Sequence, residues 1–540
     1  MFADTLITNG QVYTMDASLP TAEAVGLAGN RILALGSANE LRGLRGPATE
    51  IIDLAGRIVL PAFADSHIHF LNMARARRHL DLSTARSAEE IASAVAGRAA
   101  ATPPGQWVFG KDWDRNVWLD TSLPTRRLLD AASPDHPVAL HSKDLHSTWV
   151  NSLALAQAGF TSATPDPAGG VIVRESLTGE PTGILLERAC KVMADVYPPP
   201  TPEECAGEIK SAMPEAWQSG ITSIHQMGDR PDGRAFRAFQ LLHQRGELSL
   251  RVLYYLPREN LEAAVQLGLR SGFGDQRLRI GGVKLFADGS LGSHTAWMLE
   301  PFSDEPLNRG VPWLDPQELR EIVGYASRSG LAVAVHALGD RANREVIDAV
   351  AAARRHEEER PESAGPLLRH RIEHAQLLHP DDIPRLARHG LIASMQPIHC
   401  TSDMIMADKL WGEPRCAGAY AWRSVLDASV PLAFGSDGPV EPLDVLQGIH
   451  AAVSRCRADG SPGPGGWHSE QRLSVVEAVH GYTLGAAHAA GEETERGSIT
   501  PGKLADLVVL SDDIFKLQPE RILDTRVDMT FFDARVVYRR

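Results

Sequence analysis

The feature that most constrains this chain is a repeated alternation along its middle. Short apolar runs, rich in β-formers, are separated by segments with helical spacing. They read "ITSIHQMG" from 221, "LRIGGVKLFADG" from 278, "LAVAVHALGD" from 331, "LRHRIEHAQ" from 368, "LIASMQPIH" from 391 and "PLAFGSDGP" from 431. Strands alternating with helices predict βαβ units and a parallel sheet. Most of the runs end in Gly, Asp or Pro, and each carries a polar or ionisable side chain near its C-terminal end. That is where an α/β barrel places its catalytic groups. With 540 residues the chain is long enough for a barrel with insertions as one unit.

The two chain ends differ from the middle. "TLITNGQVYTMD", "AEAVGLAGNRILALG" and "EIIDLAGRIVLPAF" are paired β-prone runs around tight turns, and "ADLVVLSDD" and "MTFFDARVVYRR" repeat the pattern at the C-terminus. The stretch between the strand at 60–69 and the run at 221 is too long for one barrel unit and reads as an insertion. "SPGPGGWHSEQR" is a Gly/Pro-rich loop, and no solenoid repeat or low-complexity tract is present.

Composition narrows the function. A formal net charge of −14 disfavours nucleic acid, whose phosphates are bound through an excess of Lys and Arg. No apolar stretch is long enough for a membrane span, and the N-terminus lacks the basic-then-apolar pattern of a signal peptide. The five cysteines (190, 205, 400, 416 and 456) are scattered, without a C-x-x-C. A disulfide framework is not expected, and a reducing cytoplasm is the expected location. Oligomeric state is not encoded legibly, although a homodimer is the commonest homo-oligomer.

The chemistry starts at "PAFADSHIHF". In a strand, His67 and His69 point to the same face, about 7 Å apart along the chain. Two such imidazoles suit one borderline cation. A lone His-x-His pair is a weak signal, but later strand ends supply His336, His374 and Asp437 in order. Each could singly be a satisfied core polar residue; together they point to a metal centre, because converging ionisable groups are costly unless paired or metal-bound. Lys284 sits in the apolar run "IGGVKLFADG". It is either ion-paired, for example with Asp288, or an amine deprotonated by burial and converted by carbon dioxide to a carbamate.

The ordered set of His-x-His, Lys, His, His and Asp resembles the amidohydrolase superfamily. The words "FADSHIH", "VALHSKDLHSTWVNSLAL", "GEPTGILLE", "GGVKLFADGSLGSHTA", "HALGDRA", "RIEHAQ", "FGSDGPVEPLD" and "GSITPGKLADLVVL" resemble its amidohydrolase-3 (YtcJ-like) branch, which includes N-substituted formamide deformylases. The resemblance implies a (β/α)8 TIM-type barrel with a small β-sandwich built from both chain ends. Residues 1–58 and 491–540 would form the sandwich, and 59–490 the barrel, with the insertion at about 75–205. It implies a divalent-metal site, two Zn, with His67, His69 and Asp437 on one ion, His336 and His374 on the other, and carboxylated Lys284 between them. Asp437 would be ligand and base for a metal-activated hydroxide that cleaves a C–N bond of a small-molecule amide or N-formyl compound.

Three further residues are expected near the substrate: His146 and His399, and Trp113 from the Trp-rich insertion, whose other indoles read as core. The chain departs from the branch at Asp144-Leu145-His146, where Asp-Gly-His is usual, and at His294, where Arg is frequent, so no substrate role is carried to His294. His225 either faces the site or is structural. Heterocycle deamination, or opening of a cyclic amide or lactone, is the alternative within the superfamily. Many deaminases there use one metal and lack the bridging Lys, so Lys284 argues for two. A binding protein without catalysis is a further alternative, opposed by the complete set of ligand positions.

Overall fold

The apolar runs fold into eight parallel strands. In chain order these are β1 Phe63–Ile68, β2 Ile221–Gln226, β3 Arg251–Pro257, β4 Leu278–Phe286, β5 Val333–Ala337, β6 Arg371–His374, β7 Ile392–Met395 and β8 Leu432–Phe434. The computed structural model describes residues 2–77, 79–120, 123–142, 147–167, 169–228, 230–358 and 367–540. Each strand pairs in parallel with the next, so the sheet runs from β1 to β8 without a swap. Beyond the last strand, Asp437 N–H donates to His67 O at 2.7 Å and His69 N–H to Gly438 O at 2.9 Å. These bonds draw the end of β8 onto the end of β1, which completes the (β/α)8 arrangement.

The strands are buried almost throughout because helices cover them outside and side chains fill them inside. The helix Pro316–Arg328 between β4 and β5 shows how the sequence directs this. Asp315 caps it, accepting from Gln317 N and Glu318 N, and Pro316 occupies the first turn, where its missing N–H costs nothing. Leu319, Val323 and Ala326 then recur at three- and four-residue spacing and form its buried face.

The terminal β runs make two sheets. Ala3–Thr8, Ala24–Ala28, Arg31–Gly36 and Arg45–Asp53 form one. The other joins both chain ends, since Ile58–Pro61 pairs antiparallel with Leu507–Leu510, which pairs with Val527–Phe532. Ile7, Val25, Val59, Leu507 and Phe531 share one buried cluster between them. Barrel and sandwich form one compact unit, residues 1–72 and 202–540.

Residues 73–201 form a second unit. Its six-stranded sheet is mixed: Leu80–Asp81, Val108–Trp113 and Val138–Ser142 are parallel, and Ser147–Val150, Pro181–Glu187 and Gly170–Arg174 continue antiparallel. Trp113, Trp118 and Trp149 pack in its core with Leu140 and Ile184. Among the described residues, no helix is long and apolar enough to cross a membrane.

Candidate metal centre

The ionisable strand ends converge at the C-terminal end of the barrel. His67 lies in β1 and His69 just after it, Lys284 in β4, His336 in β5, His374 at the end of β6, and Asp437 three residues past β8. His374 and Asp437 have left-handed backbones, with φ of 72° and 59°. Such conformations cost energy in non-glycine residues and persist where the surroundings over-determine them, as functional sites do.

Asp437 is the hub. Its Oδ1 lies 3.4 Å from His67 Nε2 and 3.3 Å from His69 Nε2, and its Oδ2 lies 3.7 Å from His399 Nε2. The ligand atoms form two triads sharing Asp437, one with His67 and His69 and one with His374 and His399, each within 4.8 Å. The ring centroids of His374 stand 4.7 Å from His67 and 4.5 Å from His336, and His399 stacks on His374 at 6.0 Å. Lys284 is buried, its Nζ 4.9 Å from the Phe286 ring centre.

Neighbouring acceptors decide which imidazole nitrogen carries the proton. An ionised carboxylate can only accept, so the 2.6 Å contact of Glu373 Oε2 with His67 Nδ1 puts the proton on Nδ1 and leaves the Nε2 lone pair facing Asp437. Gln396 Oε1 accepts from His374 Nδ1 at 2.8 Å, with the same result. His336 is reversed: its Nε2–H donates to Gly289 O at 2.9 Å, so Nδ1 is the lone-pair nitrogen. His399 differs again. The Gln376 amide nitrogen faces its Nδ1 at 3.4 Å, which makes Nε2–H a donor directed at Asp437.

The electrostatics suit a cation. Burial and the charge of Lys284 push His67 down to about 4 and His336 to about 3, and burial with His336 and His67 lowers His374. All three are neutral ligands at pH 7. Burial raises the Asp437 carboxyl, but attraction to His67, His374 and His399 whenever one of these rings is protonated, with the hydrogen bond of His69, outweighs it and holds it well below the usual carboxylate range. His67 Nε2 and His399 Nε2 are buried and make no hydrogen bond among the described residues. One ionised carboxylate among lone-pair nitrogens is a donor set that zinc or a similar borderline cation fits.

The structure brings together His67, His69, Lys284, His336, His374, His399 and Asp437. Trp113 is 2% exposed in the core of the 73–201 unit, and its indole N–H donates to Leu140 O at 2.9 Å. That packing accounts for it within its own unit. His146 lies outside the described residues. His225 is buried and accepts from Arg371 Nη1–H at 2.7 Å through Nδ1, a structural contact. His294 faces Asp304 at 3.3 Å. Glu373, Gln396 and Gln376 were missed as partners of the histidines. In "RIEH" the i, i+2 spacing puts Arg371 and Glu373 on one strand face and signals their own pairing, but not the contact of Glu373 with His67.

A metal-dependent hydrolase barrel is the class that this fold and site define. The chain belongs to the amidohydrolase family, whose family model matches residues 50–538, and with it to the hydrolases of carbon–nitrogen bonds. It is 33% identical to the putative amidohydrolase YtcJ of Bacillus subtilis over 98% of both chains. It is 28% identical to an N-substituted formamide deformylase of Arthrobacter pascens over 99% of this chain and 98% of that one. A crystal structure of a metal-dependent hydrolase from Pyrococcus furiosus superposes with a TM-score of 0.79 at 30% identity, covering 95% of this chain and 100% of that one.

Proposed function

We propose that this protein hydrolyses the amide bond of a small N-acyl or N-formyl compound, with Asp437 as the proton-transfer group. One observation carries the reading: a single ionised carboxylate whose Oδ1 faces the His67–His69 pair and whose Oδ2 faces His399. The formamide deformylase, similar over the whole length, supports the bond type. We further propose two divalent cations, zinc being the expected metal, with His67, His69 and Asp437 on one and His336 and His374 on the other. Lys284 is buried; after giving up its ammonium proton, its Nζ would add as the free amine to carbon dioxide and lose a second proton, and the resulting anionic carbamate would serve both cations. Bound there, the cations supply Lewis acidity and acidify water toward neutrality.

The chain's own residues then do the following. Asp437 accepts the proton of the attacking water as its oxygen bonds to the carbonyl carbon. It returns that proton to the nitrogen as the C–N bond breaks, which yields a carboxylic acid and an amine. The Nε2–H of His399 is directed to donate to the substrate carbonyl oxygen.

The test is a hydrolysis screen of N-formyl, N-acyl and cyclic amides against metal-loaded protein, with Asp437→Asn in parallel. The expected result is amide turnover in the wild type and a loss of at least about 100-fold in the variant, the range for a general acid–base group. Turnover of esters or lactones with none on amides would sink the bond assignment. A metal-replete variant at full rate would sink the role of Asp437.

A further inference from the structure

We propose that Glu373, clamped by Arg371, is a positioning residue that selects which nitrogen of His67 binds metal. The inference rests on the metal reading above and adds a fully buried residue outside the proposed ligand set. Glu373 and His67 are both fully buried and meet at 2.6 Å through Oε2 and Nδ1. The carboxylate cannot rotate away, because Arg371 grips both oxygens, Nε to Oε1 at 2.6 Å and Nη2 to Oε2 at 2.9 Å.

Arg371 is itself held from four sides. It donates to His225 Nδ1 at 2.7 Å, to Ser394 Oγ at 2.8 Å, to Tyr255 Oη at 3.3 Å and to the carbonyl of Ser66, the residue before His67. The same guanidinium therefore fixes the acceptor of His67 and the backbone that carries it. Strands β1, β2, β3, β6 and β7 all contribute to this cluster, beneath the hub at Asp437. A bidentate Arg–carboxylate pair combines strength with fixed geometry, and partners behind a metal-binding His set its tautomer and ring orientation. If Glu373 served Arg371 alone, its Oε2 would have no need to face an imidazole.

The test separates positioning from charge balance. Full-length metal-free protein is titrated with Zn2+ against a competing chelator. Glu373→Gln is compared with wild type and with the double variant Glu373→Leu/Arg371→Met, which removes both charges so that no buried ion is left unpaired. Affinity should fall by about 10–100-fold in both variants, the range for outer-sphere partners of metal ligands. Wild-type affinity in the double variant would make Glu373 only the counterion of Arg371 and overturn the proposal. A wild type that takes up no divalent cation would sink the metal centre, and this role with it; uptake undiminished in both variants would sink this role alone. Should the variants fail to fold, 15N-histidine spectra of the wild type decide, with His67 assigned by its loss in His67→Asn. The proton is expected on Nδ1; a proton on Nε2 overturns the proposal.

Discussion

An imidazole binds a cation only while it is neutral and only through the nitrogen that lacks the proton. Burial and Lys284 keep His67 neutral down to about pH 4 and His336 down to about pH 3. In the unfolded chain both titrate near 6.5. Their folded pKa values are lowered, so the stability they contribute is present above pH 6.5. It is lost as pH falls toward 4, because the unfolded state gains protons that the folded state refuses. The unfolding midpoint of metal-free protein should therefore drop across that window, and less steeply in His336→Asn. Thermal unfolding at stepped pH checks this, and equal slopes in the two proteins would count against it. His67, His69, His336, His374 and Asp437 were legible in the sequence because they mark the ends of apolar runs, whereas Lys284, inside its run, drew its ligand role only from the family resemblance. Glu373 was not legible, because its partnership with His67 exists only when β6 and β1 are folded into one barrel, 306 positions apart along the chain. Trp113, expected near the substrate from its place in a Trp-rich insertion, packs with Trp118 and Trp149 in the core of its own unit.

At the scale of elements, the join between β8 and β1 carries the site. Gly435 passes so close to β1 that a Cβ there would sit 2.5 Å from His67 N and 2.6 Å from Asp65 Oδ1. Asp65 holds the same join from the other side, accepting from His67 N at 3.0 Å and Ser436 N at 3.1 Å. Burial nonetheless raises its carboxyl to about 7. Gly435→Ala should force the two strand ends apart and cost about 1–3 kcal/mol, the usual penalty of overpacking. Because His67 is displaced with its backbone, metal content should fall along with the melting temperature. A variant with unchanged melting and full metal content would show that the join is not rigid. Strands ending in an ionisable group could be read from the sequence. β3, Arg251–Pro257, has no such group at its C-terminal end and offered only an apolar run, which does not distinguish strand from buried helix. The insertion is legible from its length, and the pairing of Gly170–Arg174 with Pro181–Glu187 from the hairpin pattern of "GGVIVRESLTGEPTGILLE"; its parallel pairings join runs far apart along the chain, and no local pattern encodes them.

For barrel and sandwich as one unit, the question is what fixes the C-terminal strands to the barrel. Arg251 opens β3 and is 2% exposed. Its Nε and Nη2 donate to Asp506 at 2.6 and 2.9 Å, Nη2 also reaches Asp533 at 2.6 Å, and its guanidinium lies 4.8 Å from the centre of the Phe532 ring. Asp506 leads into the sandwich strand Leu507–Leu510 and Asp533 follows Val527–Phe532, so one barrel side chain ties both strands. Arg277 adds a second donor to Asp533. Arg251→Met keeps the apolar stem and removes the charge. It leaves two carboxylates facing each other with Arg277 as their remaining cation, and breaking a buried pair in this way costs about 3–5 kcal/mol. Proteolysis should then cut within 500–540 in the folded barrel, while metal content stays near wild type, because the tie lies at the N-terminal end of β3, away from Asp437. Arg251→Met/Asp506→Asn should recover part of the lost stability, since it removes one of the uncompensated charges. A double variant no more stable than the single one would mean that Arg251 acts through packing against Phe532 and not through its charge.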